Sequence, residues 1–368
     1  MKNHLVIGGA GFIGCNLAAH LLKKGDNVTV FDNLSRRGAL NNIRWLIKNN
    51  STGLDIIQGD ISTDNYRLLE AVRKAEVVYH LASQTAVTTS VINPREDFEI
   101  NALGTLNVLE AIRGAGNNPV AIYSSTNKVY GKMEDVKVRE LDRRYEYQDK
   151  IGISEEQPLD FHSPYGNSKG AADQYFRDYA RIYGLRTVVF RQSCIYGPHQ
   201  FGIEDQGWVA YFTIQNELQR PITIYGDGKQ VRDVLFVGDL IRAFELATQK
   251  IDVAQGQIYN IGGGPQNTLS LLELVDLLEN MTDKKMQYTF SDWRPGDQRV
   301  YISDIRKAKK DLGWNPKVRI PEGLKILHSW VKENREILLR TILKGNIVAT
   351  TFSCLSLGGT EARRYLNM

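Results

Sequence analysis

Six short stretches in the first two-thirds of the chain are almost wholly apolar: HLVIG (4–8), NVTVFD (27–32), LDIIQGD (54–60), EVVYHLA (76–82), VAIYSS (120–125) and LRTVVFR (185–191). Each is rich in Val, Ile or Tyr and predicts a strand. Between them, apolar residues recur every three or four positions, as in FIGCNLAAHLLKKG (12–25) and GTLNVLEAIRGAG (104–116), and a glycine ends each run. Near-continuous apolar strands alternating with amphipathic helices predict an α/β architecture whose parallel sheet is covered on both faces. The rhythm fails twice. Residues 131–164, with KMEDVKVRELDRRYEYQDKIG inside them, are charged and irregular and read as a long loop or lid. Beyond 195, glycine-rich loops at GDGKQVRD (226–233) and IGGGPQ (261–266) break up the pattern. Helical patterns at LLELVDLLEN (271–280) and IPEGLKILHSWVKENREILL (320–339) close the body, and no internal repeat is found.

Composition narrows the class. At 368 residues, 42% hydrophobic and 24% charged, the chain is close to the average globular protein, not disordered, collagen-like or disulfide-built. The length suggests two domains or one large domain with an appendage. The net charge of +4 is too small to argue for nucleic acid. From Arg335 on, five basic residues face two acidic ones, so the preceding body is nearly neutral at +1. Cys15, Cys194 and Cys354 are far apart with no CxxC pair, so no metal site is expected and a reduced, cytoplasmic setting is. The N-terminus runs straight into a glycine motif that a cleaved leader would remove. The uncharged run from Gly345 to Thr360 is 16 residues long and rich in Thr, Ser and Gly. That falls short of the ~18–20 apolar residues a spanning helix needs, and neither membrane nor nucleic acid is an expected partner.

Gly8, Gly11 and Gly14 stand in GGAGFIG, after one strand and opening one helix around Phe12 and Ile13. Glycines at this spacing permit a tight turn and bring backbone N–H groups to a pyrophosphate at the positive helix end. Asp32 ends the second strand, where a carboxylate can accept the adenosine ribose hydroxyls. Asp60 and Ile61 close the third strand and supply a carboxylate and an apolar wall near the adenine. Asp32 would repel a 2′-phosphate, which favours NAD over NADP, although Arg36 and Arg37 lie close by.

Tyr165 and Lys169 form a Tyr-x-x-x-Lys pair on a predicted helix, one turn apart on one face. The lysine ammonium is expected to lower the phenol's pKa and make Tyr165 an acid/base near neutrality. Thr126, in SSTNKVYG (124–131), ends a strand facing the same crevice and can hold a reacting oxygen.

GGAGFIG, Asp32, HLASQ, Asn101 in NALGT, SSTNKVYG and Tyr165/Lys169 together resemble the extended short-chain dehydrogenase/reductase superfamily, in its nucleotide-sugar epimerase/dehydratase branch, over about residues 1–330. The resemblance implies a Rossmann-type doubly wound parallel sheet with a smaller mixed α/β C-terminal substrate lobe. It divides the chain into an NAD-binding domain (1–192), a discontinuous substrate lobe (193–334) open to exchanging segments with the first, and an extension of unknown role (335–368). It implies NAD held by Gly8, Gly11, Phe12, Ile13, Gly14, Asp32, Asn33, Ser35, Arg36, Asp60, Ile61, Leu81, Ala82, Gln84, Asn101, Ser124, Tyr165 and Lys169. Tyr165 would remove a sugar hydroxyl proton, Lys169 would hold the nicotinamide ribose, and Thr126 would orient the hydroxyl.

Within the branch, sugar 4,6-dehydratases carry Asp-Glu after the threonine, whereas this chain has Asn127-Lys128, which points to epimerisation. DNLSRRGALNNIRWL (32–46), QTAVTTSVINPREDFEINALGTLNVLEA (84–111), LDFHSPYGNSKGAADQY (159–175) and DQGWVAYF (205–212) resemble the CDP-paratose 2-epimerase (CDP-tyvelose epimerase) family, whose reaction is at carbon 2. The substrate is then a nucleoside-diphosphate sugar, CDP-linked, in cell-surface polysaccharide synthesis. Its expected contacts are Gln84, Thr88, Thr126, Asn127, His162, Ser193, Gln206 and Trp208, with Arg232 and Arg294 as a diphosphate clamp. Alternatives are a UDP-sugar 4-epimerase, a dehydratase and a catalytically silent NAD-binding regulator. The resemblance also implies a homodimer or homotetramer through a four-helix interface, built from helices near 98–116 and 165–182 with Ala171, Ala172 and Tyr175 on its face.

Overall fold

In the computed structural model, which describes residues 1–50, 52–294 and 296–343, all six predicted strands form and a seventh joins them. They are β1 (Asn3–Ile7), β2 (Asn27–Asp32), β3 (Leu54–Gln58), β4 (Val77–His80), β5 (Val120–Thr126), β6 (Thr187–Gln192) and β7 (Ile258–Ile261). All pair in parallel in the order β3-β2-β1-β4-β5-β6-β7. Successive side chains point to opposite faces, so both faces are apolar. Val6, Val30, Ile122 and Phe190 pack with Leu17, Phe244 and Trp314 on one side. Leu5, Phe31, Val78 and Tyr123 pack with Leu68, Val108 and Phe176 on the other. The strand order reverses between β1 and β4, and a crevice opens there beyond the carboxyl ends of the strands.

The two lobes interleave across residue 192. β7, the helix Val237–Gln249 and Trp314 all follow that boundary yet belong to the first sheet and its core. The second lobe holds a mixed sheet of Cys194–Tyr196, Val231–Phe236, Thr268–Ser270 and Val300–Tyr301, with helices Trp208–Leu218, Leu271–Thr282 and Ile320–Glu333. The helix Arg335–Leu343 buries Leu338 in this lobe's core, so the extension expected to begin at 335 is lobe structure through 343. The uncharged run 345–360 lies outside the described residues. The stretch read as a lid folds instead into a hairpin of Val138–Glu140 and Tyr145–Tyr147, whose tyrosines are buried beside Val231 and Tyr301. Its alternating Val and Tyr favour strands despite the charge around them. Among the described residues, no helix is long and apolar enough to cross a membrane.

Candidate active site

The helix Pro164–Tyr183 begins where the sequence makes it begin. Ser163 accepts the Gly166 amide at 3.0 Å, and Pro164 takes the first turn, where its missing N–H costs nothing. Tyr165 and Lys169 therefore sit at the start of a rigid helix, aimed at the end of β5. Lys169 Nζ donates to the Ser124 carbonyl at 2.6 Å and rests 4.3 Å over the Tyr123 ring. Burial pulls its pKa down to about 7, against the pull of Asp97 and Asp173. Tyr165 behaves oppositely to the expectation of a lowered pKa. Burial pushes its phenol up to about 12, only partly offset by a hydrogen bond with Thr126. The amine is engaged with the sheet, and Thr126 is the phenol's polar partner. Thr126 is itself buried and accepts the Lys128 amide at 3.2 Å.

The glycine loop tests whether a dinucleotide fits. A Cβ on Gly8 would lie 2.5 Å from the Ala82 nitrogen, and one on Gly14 would lie 2.3 Å from the Gly8 oxygen. Both positions need glycine to close the loop, and Gly8 also has φ 83°. Gly11 caps the helix Phe12–Lys23 without a side-chain hydrogen bond, which leaves the first-turn amides open to an anion. Asp32 accepts Ala10 N at 3.0 Å and Leu34 N at 2.7 Å, and so braces the loop from the end of β2. Asn33 donates to Asp60 at 2.8 Å, and Asn33 also accepts from Ser35, while Ile61 packs under Gly104. A nicotinamide dinucleotide fits this cradle.

Beside it lies a cavity of about 380 Å³. It gathers Phe12, Ile13, Leu81, Thr88, Ser124, Thr126, Asn127, Tyr165, Lys169, Ser193, Gln206, Trp208, Arg232 and Arg294 from positions spread over most of the chain. Arg232 donates to Asp297 at 2.6 Å. Arg294 lies 3.0 Å from Asp205 and stacks 3.9 Å from the centre of the Tyr225 ring. Thr85 Oγ1, Thr88 Oγ1, Gln192 Nε2, Gln200 Oε1 and Gln230 Oε1 line the cavity, buried and without a hydrogen-bond partner among the described residues. Buried polar atoms left open in this way mark a site made for a polar ligand.

The family model described as GDP-mannose 4,6 dehydratase matches residues 5–327. The chain belongs to that family. It is 48% identical over 335 residues to the CDP-paratose 2-epimerase of Salmonella typhi, covering 89% of this chain and 98% of that one. The UDP-glucose 4-epimerase of Thermotoga maritima, solved with UDP-glucose, superposes with a TM-score of 0.77 at 32% identity, covering 90% of this chain and 99% of that one. The UDP-glucuronic acid 4-epimerase of Bacillus cereus, solved with UDP-glucuronic acid and NAD, gives a TM-score of 0.78 at 28% identity, with the same coverage. The chain is an enzyme of the NAD-dependent nucleotide-sugar epimerase and dehydratase group, with the Rossmann-type sheet its sequence predicts.

Not every expected residue reaches the cavity. Gln84 spends its side chain on its own loop, donating to the Ala86 carbonyl at 2.8 Å and accepting the Ala86 amide. Asn101 accepts Gln84 N at 3.0 Å and Ser83 Oγ at 2.8 Å, and so holds that loop from behind. His162 pairs with Asp160 at 2.7 Å outside the cavity lining. Ser193 lines the cavity but donates to the Asp233 carbonyl at 2.9 Å and to its carboxylate. Trp208 donates to Cys194 Sγ at 3.4 Å, and Arg36 crosses to Gln206. Ala172 is fully buried in its own protomer, so it cannot serve the interface face proposed for it. Lys128 and Asp297 were missed as site residues. Asn127 is an expected contact, but Lys128 enters the sequence reading only through the missing carboxylic acid, and Asp297 has no motif to mark it.

Proposed function

We propose that the protein is an NAD-dependent epimerase inverting carbon 2 of a CDP-linked sugar of the paratose type. The observation that carries this reading is the 48% identity, over nearly its whole length, to a CDP-paratose 2-epimerase. The site supports it. Thr126, Tyr165 and Lys169 are assembled, while Asn127 and Lys128 offer no carboxylic acid for eliminating water.

Gly8, Gly11, Gly14, Asp32 and Lys169 would hold NAD, which supplies a reversible two-electron acceptor when bound. Tyr165 faces the carbon-2 hydroxyl, with Thr126 fixing the direction of approach, and takes the hydroxyl proton as the carbonyl forms. To take that proton Tyr165 must begin the step as the phenolate, which the burial that pushes it up to about 12 disfavours; once protonated, it holds the proton until it is returned to the sugar oxygen. Arg232 and Arg294 hold the diphosphate while the keto sugar turns to present its other face. Unpartnered atoms of Thr85, Thr88, Gln192 and Gln230 accept or donate to sugar and ribose hydroxyls in either pose.

The exposed Phe98, Tyr175, Ile182 and Tyr183 on and beside the catalytic helix are the apolar face for pairing protomers as a dimer or tetramer. Cys15 and Cys194 are unpaired, which suits a reducing cytoplasm, and the role is in building cell-surface polysaccharide precursors. Incubation of purified protein with CDP-paratose and with UDP-glucose, followed by NMR of the sugar ring, tests the assignment. Inversion at carbon 2 of CDP-paratose is expected. Inversion at carbon 4 of UDP-glucose with CDP-paratose untouched would overturn it.

A further inference from the structure

On the substrate side of the cavity, three cations (Lys128, Arg232 and Arg294) stand with three carboxylates (Glu204, Asp205 and Asp297), but they are not paired one to one. Arg294 is matched by Asp205 at 3.0 Å. Asp297 serves two cations at once: Arg232 Nη2 lies 2.6 Å from Oδ1, and Lys128 Nζ lies 3.5 Å from the same oxygen. One carboxylate cannot neutralise both, so this corner keeps a surplus positive charge in a partly dry pocket. Lys128 is also placed differently from the two arginines. It stands two residues after Thr126, its amide donates to Thr126 Oγ1 at 3.2 Å, and its side chain lines the same cavity as Tyr165.

The position matters for the chemistry proposed above, on which this step rests. Carbon 2 of the sugar is bonded to the anomeric carbon that carries the diphosphate, whereas carbon 4 lies across the ring. A pocket presenting carbon 2 to Tyr165 must hold the nearer phosphate beside the catalytic loop, not a ring's width away. Arg232 and Arg294 come from the second lobe, and Lys128 is the cavity cation attached to the loop that carries Thr126.

We propose that Lys128 binds the sugar-side phosphate of the substrate and, by holding it close to Thr126, sets carbon 2 instead of carbon 4 against Tyr165. Asp297 keeps the ammonium in place until the phosphate takes over as its partner. Lys128 is thus a specificity-determining contact beyond the arginine pair.

The test compares the affinities of CDP and CMP, which differ by the phosphate in question, by calorimetry on the NAD-loaded protein. In Lys128→Gln, CDP affinity is expected to fall about 10- to 100-fold, the size of one lost charge-assisted hydrogen bond. CMP affinity and NAD content should be unchanged, and Lys128→Arg should recover most of the loss. Asp297→Asn removes the competing carboxylate and should raise the CDP-to-CMP affinity ratio. Equal losses of CDP and CMP in Lys128→Gln, or no loss of either, would overturn the proposal, as would a lowered ratio in Asp297→Asn. The wild-type product reports the carbon assignment separately. A carbon-4 product would remove the register claim, while the UDP/UMP pair would still decide the phosphate contact.

Discussion

Two arginine sites in this protein are almost equally buried and do opposite things. Arg191 and Arg232 have side-chain exposures of 3% and 8%. Arg191 meets Asp173 through two parallel bonds of 2.9 Å, adds the Tyr130 hydroxyl at 3.0 Å, and shares Asp173 with Ser125 at 2.8 Å. Asp173 is fully buried, forms its ion pair with Arg191 and acts on Lys169 only through space. The cluster ties the catalytic helix to β5 and β6. Arg232 shares its carboxylate with Lys128, and that carboxylate, Asp297, is 21% exposed at the cavity wall. Burial alone does not separate a structural cation from a binding one. The number of cations paired to one carboxylate does: Asp173 is ion-paired with Arg191, whereas Asp297 is ion-paired with both Arg232 and Lys128.

Breaking the closed cluster should have the largest effect on folding. Asp173→Ala leaves Arg191 buried without a counter-charge and should lower unfolding stability by about 3–5 kcal/mol, read from denaturant titration. Tyr165→Phe should lower kcat by about 10²–10⁴-fold with little change in stability or NAD content, measured by steady-state turnover. Lys169 sharpens the contrast through pH. Its pKa falls from 10.5 to about 7 on folding, so between those values the unfolded chain carries a proton that the folded one lacks. Stability from this group therefore rises with pH across that window, by about 1.4 kcal/mol per unit. With nucleotide stripped from both proteins, wild type should gain on Lys169→Met between pH 7 and 9 in thermal unfolding, and parallel profiles would contradict it. At the open site, Arg294→Met should raise KM about tenfold while leaving the melting temperature nearly unchanged.

The sheet was largely legible because its strands are apolar on both faces, and the catalytic pair because four residues make one helical turn. β7 was not, since IYNI is four residues long and is identified as a strand only by pairing with β6. The hairpin at 138–147 hides behind its charges, although Tyr145 and Tyr147 alternate as strand residues do. In the site, Gln84 follows β4 and Asn101 lies on the helical segment Glu99–Leu103 behind it, but sequence does not say whether a side chain turns toward the cavity or back to the loop. The Lys128–Asp297 contact joins residues far apart in the chain, and no spacing announces it. The raised phenol of Tyr165 follows from burial, which the helical spacing of Tyr165 and Lys169 does not report.

Transient oxidation at carbon 2 is the centre of this account, and a label at that carbon tests it most directly. CDP-paratose carrying deuterium at carbon 2 would be incubated with the purified protein in ordinary water, and the product read by NMR. The account predicts an inverted carbon 2 that keeps its deuterium, because the hydrogen leaves and returns within the closed site. Inversion with the deuterium replaced by solvent hydrogen, or no inversion at carbon 2, would contradict it.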